Sequence, residues 1–407
     1  VKLKRIAQDF RVEEVATGDA VRVGGGPFAL YRLTKQSLGT LEAANAICQR
    51  WKLPRERVSF AGLKDKHALT TQYLTIESGP RRGLSQEHLE LEYLGQTERA
   101  IHARDIVANR FAIVIRDLNA SELERAEKAL AVVARDGVPN YFDNQRFGSL
   151  GTSGEFIAKP WCLGDYERAL WLALADENVH DRPEERQAKV FLRQHWGDWD
   201  ACARRMERSP WREIVSYLNS RPGDFRRAIA LAPHDLRSIW LAAFQSHLWN
   251  QILAALIGSV CAPRPCVTYS IGERDVPLFA ELDGVQRRDL HGTKLPLPSA
   301  RLHLDEGRLK EVYDRVLALE GMELRQVRVK YPRDAFFSKG ERAAAFLPGE
   351  LTHATAADEL YLGQMRLSLE FTLPRGSYAT ILIKRVTEID NGELHSDDMA
   401  DEGDNRI

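Results

Sequence analysis

The chain is poor in the residues that build cross-links and metal sites. It has five cysteines, an odd number, and only Cys261 and Cys266 are close in sequence, separated by Ala-Pro-Arg-Pro. Free thiols are therefore expected in place of a disulfide framework. None of the eleven histidines groups with the cysteines at zinc-site spacing, so no metal is expected either. Long apolar runs are also missing, since no stretch approaches the roughly 20 consecutive apolar residues of a membrane span. The N-terminus lacks a basic segment followed by an apolar one. No export signal is read there, and the expected compartment is the cytoplasm, with no membrane partner. Low-complexity segments are absent, and 407 residues, 44% of them hydrophobic, suffice for two domains with a substantial core.

An excess of positive charge is lacking too. The formal net charge is −1, which taken whole speaks against binding a polyanion. The acidity, however, is gathered at one end. Residues 388–407 hold eight acids against one base, Arg406, for a net of −7, so the rest of the chain carries +6 against −1 for the whole. That body permits RNA binding, and the tail reads as a mobile, self-repelling appendage.

What the sequence does have is an acid in an unusual place. Asp65 stands between Lys64 and Lys66 in a loop, after the short apolar run Val58-Ser-Phe-Ala61 and before the β-branched and aromatic run from Ala68 to Ile76. A carboxylate held there near backbone donors and positive charge suits a nucleophile or base acting on an anionic substrate. The same Lys-Asp-Lys composition also describes a solvated hairpin tip.

The first 160 residues alternate strand and helix patterns, as an α+β domain should. Thr40 is expected to cap a helix with Leu41, Ala44, Cys48 and Trp51 on its apolar face. Phe111 to Ile115 is a compact strand, and Ser121-Glu-Leu-Glu124 predicts a capped helix carrying Leu123, Ala126, Leu130, Val133 and Ala134 before Gly137 and Pro139. From Cys162 to Asn250 the pattern is helical, and beyond Cys261 it turns to short strands. Residues 365–373 alternate cleanly, with Met365, Leu367, Leu369, Phe371 and Leu373 on one face, and Ser377 is expected to cap a short final helix.

Five segments, in order, resemble the TruD family of pseudouridine synthases, over nearly the whole chain from Lys4 to Lys384. They are Lys4 to Glu14 with its Asp-Phe-Arg-Val-Glu-Glu element, Gly62-Leu-Lys-Asp-Lys-His-Ala-Leu-Thr70, Val138-Pro-Asn-Tyr-Phe-Asp-Asn-Gln-Arg-Phe-Gly148, Ala243-Phe-Gln-Ser-His-Leu-Trp-Asn250 and Leu373-Pro-Arg-Gly-Ser-Tyr-Ala-Thr380. Asp143 and Asn144 depart locally, at positions that the family varies. The resemblance implies an α+β catalytic domain with a mixed, largely antiparallel sheet flanked by helices, split by an inserted α/β TRUD domain. The implied boundaries are 1–160 and 340–387 for the catalytic parts, 161–339 for the insertion and 388–407 for the tail.

The resemblance further implies a tRNA pseudouridine synthase, a monomer without a guide RNA or a cofactor, acting at position 13 of the D arm as the bacterial members do, or on a wider range of RNAs as does the archaeal and eukaryotic branch that Phe244-Gln-Ser-His-Leu-Trp-Asn250 resembles. Asp65 would be the catalytic residue, with Lys4 as its ion-pair partner, Phe10 in the pocket wall, Phe142 against the target base and Asn140 within hydrogen-bond reach of the site. Glu14, Lys64, Gln72, Arg146 and Ser377 match motif positions in supporting roles. The rival expectation is a non-catalytic RNA-binding protein or tRNA chaperone on the same fold.

Overall fold

The computed structural model describes residues 1–206, 209–262, 266–272 and 274–388. The acidic tail read from the sequence lies, from residue 389 on, outside the described residues. The described residues form two compact units, one made of Val1–Val138 with those from Phe346 to Glu388, the other of Pro139–Ala345. The second unit begins earlier than the composition shift at Cys162. The reason is packing: Phe147 sits edge-on to Phe156 at 6.0 Å and Phe156 lies against Phe244 at 5.9 Å, so the segment after Pro139 belongs with the helices that follow it.

The first unit is built on a nine-stranded sheet. Its strands are β1 (Phe10–Ala16), β2 (Phe28–Lys35), β3 (Val58–Phe60), β4 (Leu69–Glu77), β5 (Leu84–Gln86), β6 (Leu89–Thr97), β7 (Ile106–Leu118) and a C-terminal hairpin, Gly349–Ala357 and Met365–Pro374. Across the sheet they run Gly349–Ala357, Met365–Pro374, β7, β1, β4, β2, β6, β5, with β3 also on β4. Only β1 and β4 pair in parallel; the other pairs are antiparallel, giving the mixed, largely antiparallel sheet expected. The alternation of residues 365–373 is that of a half-buried strand, with Leu367, Leu369, Phe371 and Leu373 inward. Phe371 stacks on its register partner Phe111 at 5.4 Å.

Helix α1 (Thr40–Trp51) buries Ala43, Ala44, Ile47 and Cys48 against Tyr31, Leu33, Leu74 and Leu91 of the sheet. Leu41, expected on that face, is exposed. Helix α2 (Ala120–Asp136) packs against the closing helix Ala379–Thr387. Three helix caps differ from expectation. α1 is capped by Gly39, whose amide donates to Glu42 at 2.8 Å, because Thr40 is engaged elsewhere. α2 is capped by Asn119 with Glu122, and Ser121 donates to the Asn119 side chain. The closing helix is preceded by Tyr378, with Ser377 one residue too early to serve.

The second unit is mainly helical around one helix of 28 residues, His234–Cys261. Trp240, Phe244, Leu248, Trp249 and Ile252 are buried around much of its circumference, which is why it lacks a polar face. Two antiparallel pairs complete the unit, Cys266–Ile271 with Arg274–Phe279 and Lys294–Pro296 with Glu341–Ala343. Among the described residues, no helix is long and apolar enough to cross a membrane.

Candidate active site

Parallel pairing is what makes the site in the first unit. Because Arg11 of β1 is in register with Leu69 of β4, the segments entering the two strands arrive at the same end of the sheet. Lys4 lies on one and Asp65 on the other. Lys4 adopts a left-handed backbone conformation, φ 53°, uncommon for a lysine. Its ammonium lies 4.5 Å from the centre of the Phe10 ring and pairs with Asp65 Oδ2. Phe10 itself is buried, edge-on to Phe111.

The other carboxylate oxygen of Asp65 accepts the His67 amide at 3.0 Å. Burial alone would push this carboxyl up. The charge and hydrogen bond of Lys4, with the His67 amide, outweigh that and hold it below the ordinary carboxylate value. Asp65 is therefore ionised at neutral pH, and at 25% side-chain exposure it remains open to a reacting atom.

Buried polar groups fix this loop from beneath. Thr40 Oγ1 accepts the Lys64 amide at 2.9 Å and donates to Gln72 Oε1 at 2.8 Å, while Gln72 Nε2 donates to the Gly62 carbonyl at 3.1 Å. The Lys64 side chain turns inward. Its ammonium reaches Glu14 and Asn109, both at 2.9 Å, and these two face each other across β1 and β7. The β1–β4 ladder stops at Glu13, and the Glu14 carboxylate takes the Tyr73 amide in its place at 2.9 Å. Groups so deeply buried must be satisfied, and here each satisfies the loop or its supports. Ser377 lies just past the strand Met365–Pro374, its amide bonded to the Pro374 carbonyl.

Asn140, Phe142 and Arg146 come together in the second unit. Arg342 donates at 2.7 Å to both the backbone carbonyl and the side-chain oxygen of Asn140, whose nitrogen donates to the Ala343 carbonyl at 3.0 Å. The same guanidinium lies 4.3 Å from the centre of the Phe142 ring, which meets Trp249 edge-on at 5.5 Å. Arg146 lies 5.4 Å from that ring centre and donates to Ser246 at 3.2 Å. Phe142 is 8% exposed.

A family profile described as "tRNA pseudouridine synthase D (TruD)" matches residues 1–386. The chain belongs to the TruD family. It is 30% identical to "Probable tRNA pseudouridine synthase D 2" of Methanocaldococcus jannaschii, over 95% of this chain and 91% of that protein. It is 29% identical to "tRNA pseudouridine synthase D" of Aquifex aeolicus, over 95% of this chain and 98% of that protein. The crystal structure of a Methanosarcina mazei chain described as "Putative tRNA pseudouridine synthase D (TruD)" shares the fold, with a TM-score of 0.73, 24% identity, and coverage of 95% of this chain and 93% of that one.

Several residues around the candidate groups of each unit are not singled out by the sequence. Thr40 reads as a cap, and Lys35, Asn109 and Arg342 carry no motif. Apart from Leu38, three residues from Lys35, their partners lie far away in sequence, where local pattern does not announce them. One signal was legible: Lys35 continues the inward alternation of Ala29, Tyr31 and Leu33 along β2.

Proposed function

We propose that the protein isomerises uridine to pseudouridine in tRNA, at position 13 of the D arm, with Asp65 as the reacting carboxylate. The observation that supports this most directly is an ionised acid, paired with Lys4 and partly open, on a loop held by buried polar groups. The reaction breaks the N1–C1′ bond, turns the freed base and joins C5 to the same sugar carbon. Asp65 either attacks C1′, giving a covalent ester, or takes the C2′ proton, giving a glycal. The proton lost from C5 balances the one gained at N1. No redox partner or group donor enters, so the chemistry calls for no cofactor.

In this reading Lys4 keeps Asp65 charged and oriented, Phe10 carries Lys4 on its face, and Glu14, Lys64 and Gln72 hold the loop. Phe142 offers its ring to an extruded base, with Asn140 and Arg146 supporting that segment. The enzyme works as a cytoplasmic monomer without a guide RNA. Purified protein and a single tRNA transcript test this directly, with pseudouridine mapped by carbodiimide labelling and primer extension. One stop in the D arm is expected with the parent and none with Asp65→Asn, whose tRNA affinity should stay within about threefold. Residual turnover in that variant above about one-thousandth of the parent would defeat the assignment of Asp65.

A further inference from the structure

We propose that Lys35 is a positioning residue for Asp65: its buried ammonium clamps the backbone of the loop that presents the carboxylate. The inference rests on the reading of Asp65 as the reacting acid. Lys35 is the last residue of β2 and is 1% exposed. Its Nζ donates to the carbonyls of Leu38 at 2.6 Å, Asp65 at 2.9 Å and Lys64 at 3.4 Å. An ammonium has three donors and no acceptor, so three carbonyls match it one for one. Two of those carbonyls, those of Lys64 and Asp65, flank Asp65 on the backbone, while its side chain is engaged separately by Lys4 and the His67 amide. The loop backbone is thus held by Lys35 and Thr40, and its carboxylate by Lys4.

A purely architectural role would not need a charge here. Ala29, Tyr31 and Leu33, the other inward residues of this face of β2, are apolar, and a leucine or methionine at 35 would complete the stripe. Burying an ammonium is costly unless its bonds repay it, and all three hydrogen bonds of Lys35 go to the two segments that end β2 and carry Asp65. The charged groups that face Lys35 are Asp65 and Lys64 from the loop and Glu42 from α1. Its register partners, Thr70 on β4 and Leu89 on β6, are uncharged. Burial is the strongest influence on the ammonium and, against the pull of Asp65, brings it down to about 8. Above that pH the neutral amine keeps two donors for three carbonyls, and the clamp loosens.

The test compares the parent with Lys35→Met, which keeps the apolar stem and removes the donors. Three quantities are read: the single-turnover rate of pseudouridine formation against pH, the Kd for tRNA, and the hydrogen exchange of the Lys64 and His67 amides. The expected result is a rate at least about a hundredfold lower at pH 7, with affinity within about threefold and both amides exchanging at least about tenfold faster. The parent should lose rate above about pH 8, and the methionine variant, with nothing to titrate there, should not. A variant rate within threefold of the parent, equal losses of rate and affinity, or unchanged amide exchange would overturn the proposal. Should Lys35→Met not fold, Lys35→Gln, which keeps one neutral donor group, is read for the same three quantities, and a rate within threefold of the parent or unchanged exchange of the Lys64 and His67 amides overturns the clamp. A parent that makes no pseudouridine would defeat the proposed function, and the amide exchange would then decide on Lys35 by itself.

Discussion

Asn250 holds the backbone of Phe142 by both of its polar groups. Its side-chain oxygen accepts the Phe142 amide at 2.9 Å and its nitrogen donates to the Phe142 carbonyl at 2.8 Å. The position of this ring is therefore set by the long helix, through Asn250 and Trp249, more than by the turn that carries it. If the ring takes the extruded base, Phe142→Ala should lower turnover by about 5- to 150-fold, from a stacking energy of about 1–3 kcal/mol, with a smaller loss of tRNA affinity. Phe142→Tyr should keep much of the activity, because the stacking face survives. Thermal melts beside the kinetics separate this from plain packing: a drop in Tm shared by both variants would make Phe142 a core residue.

Lys4→Met should move the pH dependence of the reaction. In the parent, Asp65 titrates below the ordinary carboxylate range, so the single-turnover rate should be flat from about pH 5 to 7. Without the ammonium, burial has no equal opponent and the carboxyl rises. The variant should then gain an acidic limb, its rate climbing with pH through that window. A variant that is slower but equally flat would show that Lys4 does not keep Asp65 ionised.

Acid should act on the second unit through Glu320. This carboxylate accepts from His247 at 2.9 Å and from Lys159 at 2.7 Å. The His247 hydrogen bond, with help from Lys159 and against burial, brings it from 4.5 to about 2. A carboxyl lowered on folding contributes stability above its unfolded value, and that contribution is lost as pH falls toward the folded one. Glu320→Gln should thus be less stable than the parent at pH 6, by about 1–3 kcal/mol in urea unfolding, with the gap shrinking below about pH 4.5 and closing only as pH falls through about 2. A gap of the same size at both pH values would contradict the linkage.

What the sequence made legible was set by local pattern. The alternation of residues 365–373 marks a strand with one buried face, and the residues around Asp65 carry the family signature. The caps were less readable because they compete with distant partners. Thr40 has the chemistry of a cap, yet Lys64 and Gln72, 24 and 32 residues away, claim its hydroxyl, and Gly39 with Glu42 fills the vacancy. Lys35 looks like a solvated lysine at a strand end until β2 and β4 are placed in register. Arg342 and Asn140 are 202 residues apart, so nothing in either neighbourhood announces the other.

The nine-stranded sheet also governs the order in which this chain can mature. Strand Met365–Pro374 lies between β7 and the hairpin strand Gly349–Ala357, and its Phe371 stacks on Phe111. On the ribosome, β7 is finished long before that partner exists. At roughly 5–20 residues per second, the segment from 139 to 345 alone takes about ten to forty seconds to make. Throughout that interval β7 presents a long, unpaired edge with Phe111, Ile113 and Ile115 uncovered, the kind of surface that recruits other strands. Nascent chains should therefore be most prone to aggregate, and most dependent on chaperones, after residue 118 emerges and before residue 374 does.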